Sequence, residues 1–464
     1  MKQKENVKEE VKEEAGEKQQ KNNFAQGSIV VNILKLAVPM TLAQLINVLY
    51  NIVDRIYIGH IPSDGSLALT GVGVCMPIIM IVTAFAALIS SGGAPRASIY
   101  MGKQDNESAE NILGNCFLLQ IVISLILTAI LLIWSKDLLL AFGASENTIT
   151  YATAYMNIYA IGTIFVQITL GMNTFITAQG KATTGMMTVL IGAVANIILD
   201  PIFIFGMHMG VRGAALATVI SQGLSCIWVL TFLSGKKTLL RIKKANILPG
   251  LRLVPPCVAL GASMFVMQAS ESVISVCFNS SLLKYGGDIA VGAMTILTSV
   301  MQFAMLPLQG IAQGAQPITS YNYGAKNKKR LSETIRFAFL LEVLTGAGMA
   351  VVLGAAAPLL VGLFLKEADV IAVAQQILRV QLIGMPFVGI VLASTCIFQA
   401  IGNGAGAMIL SAGRQGVIFA IVIFCASKLA GFSGVIASQP VSDFLTALVA
   451  VMILLQWKKK EFAK

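Results

Sequence analysis

Apolar runs of about twenty residues recur along the chain from residue 29 almost to the C-terminus, separated by short stretches of glycine, proline and charge. A helix of about 20 apolar residues crosses a hydrocarbon layer of roughly 30 Å, whereas a barrel strand would alternate in polarity over about ten residues. The pattern therefore predicts an all-α fold of twelve transmembrane helices. We place the spans at 29–58, 67–94, 111–134, 151–176, 185–206, 213–233, 255–283, 288–318, 337–360, 372–400, 407–428 and 434–456.

Composition agrees with this multi-pass membrane fold. Of the 464 residues, 12% are charged and 56% are apolar, whereas soluble proteins carry about 25% charged residues. The N-terminal segment 1–28 is rich in lysine and glutamate and contains almost nothing apolar, so we expect a disordered cytoplasmic tail there. This charged start lacks the apolar core of a signal peptide.

Basic residues gather in alternate loops, which sets the orientation. The net charge is +11, but its lysines and arginines, Arg414 among them, lie mainly in the loops after every second span and in the C-terminal tail 457–464. Cytoplasmic loops carry such an excess, so we expect both termini in the cytoplasm and the protein in the cell inner membrane. Because the positive charge follows the alternate loops of a membrane protein, we expect no nucleic-acid partner. The longest basic connection, 234–254, divides the spans into six and six.

The two halves resemble each other in sequence, which suggests a duplication. One constant offset in residue number aligns four glycine, proline and serine positions near the ends of spans two and eight. They are Gly92, Pro95, Ser98 and Gly102, on Gly314, Pro317, Ser320 and Gly324. Similar loop chemistry in unrelated helices is the alternative. Duplication predicts two pseudo-symmetric six-helix bundles, 29–233 and 255–456, with a substrate path between them, as in transporters.

Acidic residues inside predicted spans are candidates for function, since each costs roughly 2.5–3.5 kcal/mol at membrane depth. Asn196 and Asp200 are four residues apart and therefore share one helix face. Pro201 frees a backbone carbonyl one turn earlier. With Asp54 and Thr218, these groups form an all-oxygen set, which suits a hard cation or a proton. The alternative is that they only tie helices together.

Three further acidic residues have open interpretations. Glu271 lies beside Gln268 and Ser272 on one polar strip, which predicts either a substrate cavity or interhelical hydrogen bonds. We expect structural roles for Glu342, paired with a nearby arginine or lysine, and for Asp443.

The chain has no GxxxxGK[ST] nucleotide loop and no clustered catalytic set. The sequence therefore predicts no enzyme activity and no cofactor.

Four stretches together resemble the multidrug and toxic compound extrusion (MATE) family, in its MepA-like and DinF-like bacterial branch. They are LAVPMTLAQLINVLYNIVDRIYIGH, NIILDPIFIFG, GIAQGAQPITSYNYGAKN and FQAIGNG. The resemblance implies an antiporter that uses Na⁺ or H⁺ to export amphipathic, often cationic drugs. It also implies a coupling-ion site in the N-terminal bundle. The matching positions are Asp54, Asn196, Asp200, Thr218 and Ala214.

The resemblance is weaker in the C-terminal bundle. Glu271 matches an acidic position of some family members, but the stretch 393–404 has no match to the aspartate that others carry. A second ion site there is in doubt, and Glu271 is an alternative contact for cationic drug.

Pro39 gives the first helix a place to bend. A flippase of lipid-linked oligosaccharide is the alternative function, and we expect a monomer.

Overall fold

The computed structural model describes residues 23–62, 65–236, 238–247, 251–364 and 368–463, without side chains for 23, 244, 251, 269–299, 363–364, 368–370, 373, 415, 462 and 463. Within these ranges the regular secondary structure is helical. The helices are α1 (Ile29–Gly59), α2 (Gly65–Gly102), α3 (Asn106–Ala141), α4 (Ile149–Ala178), α5 (Ala182–Pro201), α6 (Val211–Ser234), α7 (Val254–Gly324), α8 (Lys328–Phe364), α9 (Ala368–Leu382), α10 (Met385–Ala400), α11 (Gly404–Ala412) and α12 (Ile418–Ala463). Short π-helical turns, Ile202–Gly206 and Gly413–Val417, extend α5 and join α11 to α12.

Eight helices in the described ranges are each long and apolar enough to cross a membrane, and α9 with α10 adds a ninth, bent by 45°. The remaining membrane passes are parts of two long helices, α7 and α12. If α7 were straight, its 71 residues would extend about 106 Å. Yet a side chain at Gly92 of α2 would collide with Cys257 near the start of α7, and one at Gly324, the end of α7, would collide with Ile99 of α2. The chain therefore reverses between these ends and crosses twice.

A similar reversal divides α12. Gly431 has φ 54° and ψ −128°, a conformation outside the helical region that favours glycine. The next turn packs so closely that a side chain at Gly434 would collide with the carbonyl of Ala426. The first pass of α12 continues α11, and the second pass ends the chain. These reversals confirm the prediction of twelve transmembrane helices.

The two halves meet through a reciprocal contact. A Cβ added at Gly102 would collide with the carbonyl oxygen of Tyr321, and one added at Gly324 would collide with the carbonyl oxygen of Ile99. The same offset in residue number that aligns Gly102 with Gly324 also aligns Ile99 with Tyr321. Each half therefore presents the same two positions to the other, which confirms the predicted pseudo-symmetry.

Close helix crossings also bracket the predicted hinge at Pro39. Helix α1 is continuous through this proline. Gly310 and Gly314 of the returning pass of α7 lie directly against it, because side chains there would collide with Thr41 and with the backbone of Ala37. Small residues at four-residue spacing let helix backbones approach closely in membranes. The hinge region of one half is thus held by the other half.

The end of the molecule that carries the connections after α2, α4, α6, α7 and α10 is called the basic face below. The segment 23–27 closes over it. Phe24 is buried, with its ring against Gly180 and edge-on to Tyr321. Arg330 donates three hydrogen bonds to backbone carbonyls of this segment, at Phe24 (2.6 Å), Gln26 (2.7 Å) and Gly27 (3.0 Å). The predicted tail, 1–28, therefore ends earlier in the structure, and residues 1–22 lie outside the described ranges.

Two side chains hold the connection 234–254 against the N-terminal half. The amide oxygen of Gln179 accepts hydrogen bonds from the Thr238 hydroxyl (2.7 Å) and two following backbone N–H groups. The Glu110 carboxylate accepts from Lys243 Nζ at 2.6 Å and from Asn246 Nδ2 at 3.0 Å. The connection is therefore packed on α3 and α4.

A larger residue at the reciprocal contact should destabilise the fold. We expect Gly102→Val to lower the free energy of unfolding by about 1–3 kcal/mol, because both helices must move apart. Gly348→Val is the matched control, since nothing lies within 4 Å of a Cβ at that position. Thermal unfolding in detergent measures both. Equal melting temperatures for the two variants would show that the contact is looser than described.

Loss of the Arg330 hydrogen bonds should release the segment 23–27. We expect chymotrypsin to cleave after Phe24 faster in Arg330→Gln than in the wild type, because the ring loses its cover. The control is Lys329→Gln, an exposed neighbour on the same helix. Identical cleavage rates in both variants would contradict a holding role for Arg330.

Candidate functional site: an acidic pair in the N-terminal half

The structure brings Asp54 of α1 and Asp200 of α5 together. Their carboxyl groups lie close enough to interact directly. Both residues are buried, with 7% of Asp54 and none of Asp200 exposed. Helices α1 and α5 pack along much of their lengths. Two acidic side chains 146 positions apart in sequence therefore form one pocket.

Asn196 completes the acceptor side of this pocket. Its Nδ2 donates to Asp200 Oδ1 at 3.2 Å, as expected for residues one helical turn apart. Three buried oxygens nearby have no hydrogen-bond partner among the described residues: Asp54 Oδ1, Asp200 Oδ2 and Asn196 Oδ1. Buried acceptors left unpaired are costly. Three such oxygens on adjacent side chains fit a bound proton or cation.

Helix α6 contributes the wall opposite the carboxyl groups. The Thr218 hydroxyl donates to the carbonyl of Ala214, its neighbour one turn earlier, at 3.0 Å. Tyr155 of α4 is close enough to interact with both Thr218 and Asp54. Tyr159 stacks on Tyr155, with ring centroids 6.3 Å apart. All five residues implied by the family resemblance thus lie in one region, and two tyrosines join them.

The backbone after Asp200 departs from regular α-helix, for a local reason. Pro201 has no N–H to continue the α-helical ladder, and the chain continues as a π-helical turn in which Met207 N donates to the carbonyl of Ile202 at 2.8 Å. Gly213 at the start of α6 packs on the backbone of Phe203 in this turn. Single π turns occur frequently at functional sites. Here the turn places Asp200 where α5 meets the start of α6.

A cavity of about 240 Å³ lies on the other side of Asn196 and Thr218, both of which line it. Its walls come mainly from α1, α4, α5 and α6, with Gln313 reaching in from α7. Among the residues that the structure describes, no charged side chain lines it; the lining residues are apolar or carry hydroxyl and amide groups. The acidic pair therefore sits behind an uncharged wall, one residue away from the cavity.

Among the predicted substrate residues of the C-terminal half, the structure describes the side chain of Gln268 alone. Gln268, half-buried in α7, does not line it. Glu271 and Ser272 lie among the residues whose side chains the structure does not describe. Their role as substrate contacts stays a prediction.

Two structural expectations need correction. Glu342 does not pair with an arginine or lysine: it is fully buried, and neither carboxyl oxygen has a hydrogen-bond partner among the described residues. Arg414, counted above among the basic loop residues, is instead buried and forms an ion pair with Asp443 at 2.8 Å. The structural role expected for Asp443 therefore has a partner that the sequence did not reveal.

Sequence reasoning also missed Tyr155, Tyr159 and the polar cavity wall of α4. The signal was present in the spacing of Thr169, Asn173 and Thr177, which recur every fourth residue in an otherwise apolar span. All three line the cavity. A polar strip at helical spacing indicates a wetted face.

Comparison with known proteins agrees with this architecture. The sequence pattern of the MatE family matches residues 39–202 and 263–438. The chain is similar to the multidrug export protein MepA of Staphylococcus haemolyticus, with 29% identity over 432 residues covering 93% of this chain and 94% of the relative. MepA of Staphylococcus saprophyticus is 25% identical over 431 residues, with the same coverage of both chains.

Solved structures show the same fold. An outward-facing multidrug resistance MATE transporter of the MOP superfamily superposes with a TM-score of 0.88 at 22% identity, over 96% of this chain and 99% of the other. Structures of a MATE protein in bent and straight conformations match with TM-scores of 0.88 and 0.89 at 23% and 22% identity. The bent form covers 95% of this chain, the straight form covers 96%, and each match extends over 99% of the other protein.

These matches confirm the resemblance drawn from the four sequence stretches, and they also settle the class of protein. Members of this family are transporters rather than enzymes. Because the MatE pattern matches well over half of its length, the chain belongs to the MatE family of multidrug export transporters.

Proposed function

We propose that this transporter is a cation- or proton-coupled antiporter that exports amphipathic, often cationic organic compounds. The observation that carries the proposal is the Asp54–Asp200 pair, buried at membrane depth with unpaired acceptor oxygens. The all-oxygen set of Asp54, Asn196, Asp200, Thr218 and the Ala214 carbonyl is the proposed site of Na⁺ or H⁺.

Electrostatics explains why this pair would respond to an ion gradient. Two unit charges 4 Å apart repel by about 4 kcal/mol at the effective dielectric constant of 20 that describes protein sites. Burial away from water adds to this cost for each ionised group. The two carboxyl groups therefore need at least one proton or one bound cation between them. Loss of that ion makes the closed packing of α1 against α5 unfavourable.

The cavity supports the proposed substrates. Its wall combines apolar side chains such as Met40 and Met186 with hydroxyls and amides. Methionine packs adaptably against varied apolar shapes, and the polar groups hydrate or hold one end of an amphipathic molecule. A cationic compound in this cavity would lie close to the acidic pair behind Asn196. The cation and the coupling ion would then compete for the same negative charge.

The uncharged wall is the feature that separates this proposal from its rival. A flippase that moves a lipid-linked oligosaccharide handles a phosphate-bearing anion, which favours arginine and lysine in the cavity. None lines the cavity described here. We therefore favour drug export.

Helix α1 is the proposed link between ion and substrate. It carries Asp54 near its C-terminal end and lines the cavity with Met40, Gln44 and Asn47 around its middle. Pro39 lies between Ala37 and Thr41, the two positions held by glycines of α7. In this mechanism, ion entry at Asp54 changes how α1 packs on α5, α1 bends at Pro39, and the cavity shrinks and releases the drug.

The orientation and domain boundaries are part of the proposal. The basic face carries the charged connections, so we place it and both termini in the cytoplasm. The cytoplasmic regions would then be the tail 1–28, the linker 234–254 and the tail 457–464. The six-helix bundles 29–233 and 255–456 would lie in the membrane.

Removal of either acid should abolish coupled export. In proteoliposomes loaded with the fluorescent organic cation ethidium, we expect Asp54→Asn and Asp200→Asn to reduce gradient-driven efflux to the level of protein-free liposomes. Neutral asparagine keeps the shape but cannot exchange a proton or hold a cation strongly. Separate Na⁺ and pH gradients across the same membranes identify the ion.

The matched control is Asp137→Asn, which removes an exposed acid from α3. It should leave efflux unchanged. Melting temperatures close to that of the wild type are needed for all three variants. Normal efflux in a folded Asp200→Asn variant would rule out the proposed site.

A further inference from the structure

Glu342 is a second membrane-embedded acid, far from the acidic pair. It lies 14 residues into α8, about 21 Å along the helix from the basic face. None of its surface is exposed. Both carboxyl oxygens lack a hydrogen-bond partner among the described residues.

Helix packing seals this carboxyl group from the surroundings. Helix α10 has a glycine, Gly389, directly opposite Glu342: a Cβ there would sit 3.0 Å from the Glu342 carbonyl oxygen and 3.2 Å from its Cβ. One turn further, Gly346 of α8 lies equally close to the backbone of Met385. The two helices are therefore in close backbone contact where the acid is buried. On the α7 side, the backbone of Ala312 faces the carboxyl group.

No cationic side chain among the described residues is positioned to neutralise it. Arg336, one and a half turns earlier on the same helix, is exposed. Arg414, the buried arginine of the described part of this half, is already paired with Asp443 at 2.8 Å, and that pair also receives a hydrogen bond from Gln439. Among titratable groups on α10, Cys396 is the one close enough to interact with Glu342 electrostatically. A neutral thiol cannot balance a negative charge.

The surroundings also argue against a bound metal cation. Sodium requires several oxygen ligands, whereas neither carboxyl oxygen has a hydrogen-bond partner among the described residues. The groups that interact with the carboxyl group include the Ala312 backbone and the Cys396 thiol. An ionised, unpaired carboxylate at this depth costs several kcal/mol. A proton removes that cost without additional ligands. The chemistry of the pocket thus fits one ligand, a proton.

We propose that Glu342 is a proton-binding site of the C-terminal half, loaded in the closed packing of α8 against α10 and emptied when these helices separate. The proposal rests on ion-coupled export but is independent of the ion that the Asp54–Asp200 pair takes. Glu342 is neutral while sealed. When water reaches it, it loses its proton to the solvent as an ordinary carboxylic acid, and the resulting charge opposes closure of the helices until a proton returns.

Transport with conservative variants distinguishes a proton carrier from a packing residue. In ethidium-loaded proteoliposomes with a pH gradient and equal sodium on both sides, we expect Glu342→Gln to stop gradient-driven efflux, while Glu342→Asp retains part of it. Glutamine imitates the protonated acid in shape and hydrogen bonding, so the variant should keep the wild-type melting temperature. A purely structural role predicts the opposite: glutamine works and aspartate, which leaves a gap, does not. Glu333→Gln, on the same helix nearer the basic face, is the control and should transport normally.

Infrared spectroscopy tests the proton itself and needs no transport. In the Asp54→Asn, Asp200→Asn double variant at neutral pH, we expect a carbonyl band of a protonated carboxylic acid that disappears when Glu342→Gln is added. This measurement separates the two proposals, because it can succeed even if ethidium efflux fails. Absence of that band, or full pH-driven efflux by Glu342→Gln, would overturn the assignment of Glu342.

Discussion

The cost of an unneutralised carboxylate inside a membrane governs the arrangement of this transporter. Asp54 and Asp200 lie against each other in the N-terminal half, and Glu342 lies alone in the C-terminal half. Arg414 and Asp443 avoid the cost by pairing with each other. Asp54, Asp200 and Glu342 have no such cationic partner among the described residues. In the proposed mechanism, their closed packing is stable only when a proton or a cation from the medium neutralises them. In this mechanism, ion occupancy and helix packing are therefore coupled through electrostatic energy.

The contacts between the halves determine where packing can change. On the basic face, Gly102 and Gly324 hold α2 and α7 in reciprocal backbone contact, while the Phe24 segment covers the junction. Near Pro39, glycines of α7 pack closely against α1 on both sides of the predicted hinge. A bend of α1 therefore cannot occur without affecting the other half. This arrangement would connect the proposed ion site, which lies in one half, with a rearrangement of both halves.

Much of the fold was predictable from sequence because membranes impose a strong pattern. Span length, basic loops and the constant offset between the halves predicted twelve helices and pseudo-symmetry, and the reciprocal glycine contact confirms the latter. The meeting of Asp54 with Asp200 followed from family resemblance rather than from spacing, since contacts between residues 146 positions apart leave no local signal. Arg414 and Glu342 were misjudged for a related reason. Their sequence neighbourhoods indicate loop or helix end, but their burial depends on partners from other helices, including Asp443 and Gly389.

Displacement of the coupling ion by substrate tests the central claim most directly. Purified transporter in weakly buffered detergent solution, with sodium present or absent, is mixed with tetraphenylphosphonium while protons and sodium in the medium are recorded. The electrostatic competition described above predicts that binding of this organic cation releases protons or sodium from the wild type, and that the release disappears in the Asp54→Asn, Asp200→Asn double variant. Tetraphenylphosphonium binding with no ion released, or with equal release from the double variant, would contradict it.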